Sequence, residues 1–158
     1  MSHLKLIKLL YLLDREAFVR FGRPVTHDSY SSMSHGPVPS FTLDRIDEPE
    51  ESVGSYWDAH IAPKADNQVS LRDPRGVPGD QLSPAEEALI DEVFAKFGRM
   101  SRWELRDYTH TLPEWENPRG SSRPIDPAVF LRHAGYSAED VAELEGELND
   151  LALADQLF

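Results

Sequence analysis

Six histidines carry most of the chemical reach of this chain: His3, His27, His35, His60, His110 and His133. A neutral imidazole ligates metals and moves protons near neutral pH. Metal-binding pairs favour His-x-x-x-His on a helix or His-x-His on a strand, spacings that put both rings on one face. Neither spacing occurs here. His27-Asp28 and His35 share one loop-like stretch and reach His110 only through the fold. A two-histidine, one-carboxylate centre, or a small metal-dependent hydrolase built on it, needs that long-range contact. There is no cysteine, which excludes thiol catalysis, disulfides and thiolate zinc sites. The Gly-x-Ser-x-Gly nucleophile turn and both glycine-rich phosphate loops are also missing. The expectation is a protein that is not an enzyme, with no catalytic, cofactor-binding or metal-ligating residues.

Three groups remain as candidates for contact rather than bond-making. The first is Ser34-His35-Gly36-Pro37-Val38-Pro39, where a residue before proline is held extended and the loop is stiff. The second is Trp103, Tyr108, His110 and Trp115 around a Pro113-Glu114 turn. Aromatic residues this close form either core or a contact surface. The third is an acidic C-terminal helix, 137–158, with Glu143 and Glu147 placed to steer a basic partner.

The elements that must position these groups are legible in outline. The chain has 158 residues, enough for one domain over 1–158 with a sizeable core. Leu4 to Phe21 is apolar well beyond one stripe, so it predicts a central helix covered on several sides. Gly22 and Pro24 end it. The stretch 23–39 reads as an irregular loop with a short strand near Pro24–Thr26. A short helix over Ser40–Ile46 offers Phe41, Leu43 and Ile46 for packing. Partial alternation over Tyr56–Ala62 and Gln68–Arg72 predicts a β-hairpin. Ser83-Pro84-Ala85-Glu86 and Ser101-Arg102-Trp103-Glu104 are capping boxes. The first opens a helix with Leu89, Ile90, Val93, Phe94 and Phe97 inward, ended by Gly98; the second opens one anchored by Trp103, Leu105 and Tyr108. Asp126-Pro127 starts a short helix stopped by Gly135. Ser137 caps the last, with Val141, Leu144, Leu148 and Leu151 in one stripe. The fold class is mostly α, an α+β arrangement of helices around the N-terminal one with a small β-hairpin.

The net charge is −12 and unevenly spread. The first 23 residues are net basic, whereas 137–158 holds seven carboxylates and no Lys or Arg. Such a surface disfavours nucleic acid and attracts basic partners. No apolar run reaches membrane-spanning length, so the chain reads as soluble and cytoplasmic.

With these residues in view the chain resembles the Panacea domain, the SocA-like antitoxin family. Lys5 to Asp14 is similar to the family's first diagnostic helix. Gly36-Pro37-Val38 corresponds to its Gly-Pro-Val element. Leu82-Ser83 through Gly98, Ser101, Leu105, His110 and Trp115 resembles its C-terminal part. The resemblance implies a mostly helical domain that serves as the antitoxin of a two-gene bacterial pair and binds a cognate toxin directly, while other members are phage-associated proteins of unknown role. In one branch it implies an adaptor that delivers the toxin to a ClpXP-type protease. Two departures stand out. Members usually carry a further helix before the Lys-Leu helix, where this chain has Met1-Ser2-His3, and Ile7 stands where they often have Gln. The expected surface is His35, Gly36, Pro37, Trp103, His110 and Trp115, with Glu143 and Glu147 for steering.

Overall fold

A computed structural model describes residues 1–48, 56–76 and 81–155, with side chains as far as 146. In chain order the elements are α1 (His3–Phe21), β1 (Tyr30–Met33), β2 (Gly36–Pro39), α2 (Ser40–Asp47), α3 (Tyr56–His60), α4 (Pro84–Phe97), α5 (Arg102–Thr109), β3 (Arg123–Ile125), α6 (Ala128–His133) and α7 (Ala138–Asp155). The fold is α+β and mostly helical, as the sequence predicts.

Helix α1 is the centre. Ser2 Oγ accepts from the Lys5 N–H at its start, and Gly22 at φ 70 closes its end with a bond to the Phe18 carbonyl. It packs against α4, α5, α6, α2 and β2, which satisfies an apolar surface too wide for one neighbour. Tyr11, Phe18, Tyr30 and Phe130 meet on one side, with ring centroids 5.6–6.2 Å apart, mostly edge to face. Edge-to-face contacts set the positive ring edge against the negative face of the next ring. Ile7, one turn before Tyr11 on the same face, packs instead with Val38, Ile46 and Val69. Ile7 thus makes an apolar contact at the position where the resemblance implies glutamine.

The three serine caps that the sequence predicts are all made. Ser83 and Ser101 form complete capping boxes with Glu86 and Glu104. Ser137 Oγ accepts from the Asp140 N–H while Asp140 accepts from the Ser137 N–H. These are local bonds between residues three apart, which is why the sequence shows them.

The sheet lies elsewhere than predicted. Strands β1 and β2 form the hairpin, antiparallel with Met33 opposite Gly36 and Tyr30 opposite Pro39. Strand β3 adds to β1 from far along the chain, giving the order β2-β1-β3. The stretch 23–39 is thus half sheet, not an irregular loop. Pro37 and Pro39 are tolerated because β2 is an edge strand. The segment near Pro24–Thr26 is not a strand; its Val25 and Thr26 N–H groups donate to Asp14. In the predicted hairpin, Tyr56–His60 is a helical turn instead. Isolated bridges at Ile61–Leu71 and Ala65–Gln68 are all that remains of it.

Two side-chain assignments also change. In α4, Leu89, Val93 and Phe97 are buried, but Ile90 is only partly covered and Phe94 is 53% exposed. Positions 89, 93 and 97 form one stripe, and 90 and 94 sit a quarter-turn round from it. In α2, Ile46 is buried while Phe41 stands 68% exposed. Val141 of α7 packs with Ala128 and Leu131, and Leu144 joins them. The side chains of Leu148 and Leu151 lie outside the described residues.

Candidate functional site

The β1–β2 turn, the end of α5 and the middle of α1 converge on one buried lysine. Lys8 is 0% exposed, and its Nζ donates to the Pro37 carbonyl at 2.6 Å. Burial lowers its pKa from an ordinary 10.5 to about 7. An ammonium inside a protein loses hydration, so the neutral amine is favoured.

Gly36 sits directly above. Its φ is +90, so the residue before Pro37 is not the ordinary extended one expected but a left-handed conformation that glycine alone tolerates well. A Cβ there would lie 2.7 Å from Thr109 Oγ1, 3.1 Å from Lys8 Nζ and 3.2 Å from His110 Cδ2. Gly36→Ala is expected to lower stability by about 2 kcal/mol, from backbone strain and from the contact with Thr109. The readout is a fall in the urea midpoint at unchanged slope.

His110 closes the group. Its ring stacks on Trp115, with centroids 4.1 Å apart and planes 17° apart. Trp115 Nε1 in turn donates to the Met33 carbonyl at 3.1 Å, tying the stack to the hairpin. Burial, then the nearby cations Lys8 and Arg106, hold the His110 pKa below the usual histidine range. Among the described residues, His110 Nε2 is the buried side-chain atom without a hydrogen-bond partner. The ring thus keeps one unused polar atom buried within the group.

A second polar cluster anchors the same loop from below. Glu114 accepts from Tyr11 OH at 3.1 Å and from Arg15 Nε at 2.6 Å. That fixes the Pro113-Glu114 turn against α1 and so places Trp115.

The structure therefore brings Gly36, Pro37, His110 and Trp115 together, with exposed His35 at the tip of the turn. Trp103 is not among them. It is 46% exposed, covered by the Arg102 and Arg106 guanidinium groups 4.9 and 5.0 Å from its ring. Its place is solvent, not core, because position 103 faces away from the stripe that buries Leu105 and Thr109. Glu143 is exposed on α7, and the side chain of Glu147 lies outside the described residues. Sequence reading missed Lys8 and Thr109 as members of the group. The available signal was a lysine set amid an apolar run, with Ile7, Leu9, Tyr11 and Leu12 around it.

Among the described residues no three His, Asp or Glu side chains gather as a metal-binding group. None of the described helices is long and apolar enough to cross a membrane. A family model described as antitoxin SocA-like, Panacea domain, matches residues 6–116. The chain belongs to that family. The match runs from α1 through Trp115 and contains the whole Lys8–Gly36–His110–Trp115 group, whereas β3, α6 and α7 lie beyond it. No curated protein and no solved structure matches the chain. Membership of this family supports a general antitoxin role.

Proposed function

We propose that this Panacea-domain protein neutralises a cognate toxin by binding it directly, through the face formed by His35, the Gly36-Pro37 turn, His110 and Trp115. The observation that carries the reading is the His110–Trp115 stack bonded to the hairpin at Met33. It is a half-buried aromatic platform whose shape is set before any partner arrives. Preorganised aromatic surface is what protein interfaces use for anchors, since little side-chain freedom is lost on contact. Neutralisation is then occlusion: apolar contact at the platform, and an acidic surface including Glu143 that speeds encounter with a basic toxin.

The experiment is co-expression with the toxin encoded beside the gene, scored by growth. Trp115→Ala is expected to lose at least tenfold in rescue, equivalent to about 1.4 kcal/mol of binding. Trp115→Phe keeps a ring against His110 and should retain most of it. Thermal unfolding of both variants, run alongside, separates contact from collapse. Full rescue by Trp115→Ala removes this face from the interface. Rescue that disappears in cells lacking ClpXP assigns neutralisation to delivery for degradation rather than occlusion.

A further inference from the structure

A second surface, away from the Trp115 platform, has its own chemistry. Helices α1 and α4 leave a hollow of about 140 Å³ between them, walled by Leu6, Leu10, Ile90 and Phe94 over a floor of Leu9 and Val93. No polar side chain lines it. An open apolar hollow of this size has room for about one benzene-sized group, so it suits a single Leu, Ile or Phe side chain.

The rim carries charge. Glu87 and Asp91 lie three residues before Ile90 and Phe94 respectively, on the same face of α4. Both are exposed. Their neighbours on the helix are paired, Glu86 with Arg23 and Glu92 with Arg20. Among the described residues no ion pair or hydrogen bond reaches the carboxylate of Glu87 or Asp91. An apolar socket beside two uncompensated carboxylates is complementary to an apolar side chain flanked by Lys or Arg.

We infer that the α1–α4 hollow docks a basic amphipathic segment of a partner protein, inserting one large apolar anchor while its cations meet Glu87 and Asp91. A second copy of this chain is the poorer occupant. A two-fold contact sets the same patch against itself, which would face Glu87 and Asp91 with their own duplicates in a chain already at −12. The inference does not depend on the Trp115 face or on the partner being a toxin.

The test uses the full chain and labelled helical peptides followed by fluorescence anisotropy. One peptide alternates Leu and Lys with an amphipathic period; a second replaces Leu by Ser; a third replaces Lys by Glu. The Leu/Lys peptide is expected to bind at least tenfold tighter than the other two. Phe94→Glu, and separately Glu87→Gln with Asp91→Gln, should each weaken it about tenfold, the loss typical of removing one anchor worth more than 1 kcal/mol. Both variants change exposed side chains, and circular dichroism verifies that they fold. Control variants Glu139→Gln and Glu145→Gln on α7 should leave binding unchanged. Equal binding of the Ser/Lys peptide, or equal loss from the α7 variants, would overturn the inference in favour of diffuse charge attraction. Self-association of the unliganded chain that Phe94→Glu abolishes would give the hollow to a second copy and overturn it as well.

Discussion

Asp14→Ala is expected to cost about 4 kcal/mol, much of the 5–15 kcal/mol that holds a domain of this kind folded. Asp14 is buried in α1 and serves four donors. It accepts from the Val25 N–H at 2.9 Å, the Thr26 N–H at 2.9 Å, the Thr26 hydroxyl, and the Tyr30 hydroxyl at 2.8 Å. Each donor left without a partner costs about 1–3 kcal/mol, toward the low end where water can reach. Val25 and Thr26 are partly covered and Tyr30 fully, so the Tyr30 hydroxyl should dominate. The damage extends further, because Tyr30 meets Tyr11, Phe18 and Phe130 edge to face. Asp14→Asn is the discriminating companion. Its carbonyl still accepts from the two backbone N–H groups, and the Thr26 and Tyr30 hydroxyls can turn to accept from its amide. Its loss should be about 1–2 kcal/mol. Urea unfolding of both variants checks the pair. Equal losses would mean that neither the filled space nor a neutral acceptor suffices, and that the ionised carboxylate, which Asn lacks, is what Asp14 supplies.

Asp14 also shows where sequence reading stops. Its partners at 25, 26 and 30 are near in the chain, yet nothing in the spacing marks an aspartate in an apolar helix as a hub for a following loop. The helix boundaries were readable because caps act over three residues: Ser83 with Glu86, Ser101 with Glu104. The hairpin was not. Two of the four residues of β2 are proline, which argues against a strand everywhere except at an edge, and edge placement follows from β3, about ninety residues further on. The alternation at 56–62 misled because a five-residue helical turn and a short strand expose similar fractions of their side chains. The candidate site was half legible. Gly36, His110 and Trp115 stood out by type, and their assembly follows the turn geometry. Trp103 matched them in type only, since its position on α5 points it outward. Lys8 was concealed by its own helix, where a lysine ordinarily marks the solvent side.

Raising the pH from about 7 to about 9.5 should stabilise the protein, and Lys8→Met should remove most of that gain. Lys8 has a pKa of about 7 folded against an ordinary 10.5. Below about 7 both states hold the proton, and the full cost of burying the ammonium is present. Between the two values the unfolded chain holds the proton and the folded one does not, so stability rises with pH. Over this interval the gain is about 3 kcal/mol at 1.36 kcal/mol per pH unit. The groups facing Lys8 do not cancel it. His110 is already held below its usual range, so it is neutral throughout, and Pro37 contributes only a carbonyl. The rise must end near pH 10. Tyr11 and Tyr30 are buried, with pKa values pushed well above the usual phenol range, chiefly by burial and then by Glu114 and Asp14 respectively. Above their ordinary pKa the unfolded phenols ionise while the folded ones stay neutral, and stability falls. A maximum on the alkaline side is therefore the signature. Removing the amine by Lys8→Met flattens the ascending limb and leaves the Pro37 carbonyl without its donor, a cost of about 1 kcal/mol at every pH. Urea midpoints across the range read both effects. A wild-type profile flat from 7 to 9.5 would show that water or an unseen partner keeps the Lys8 ammonium charged beneath the Gly36 turn.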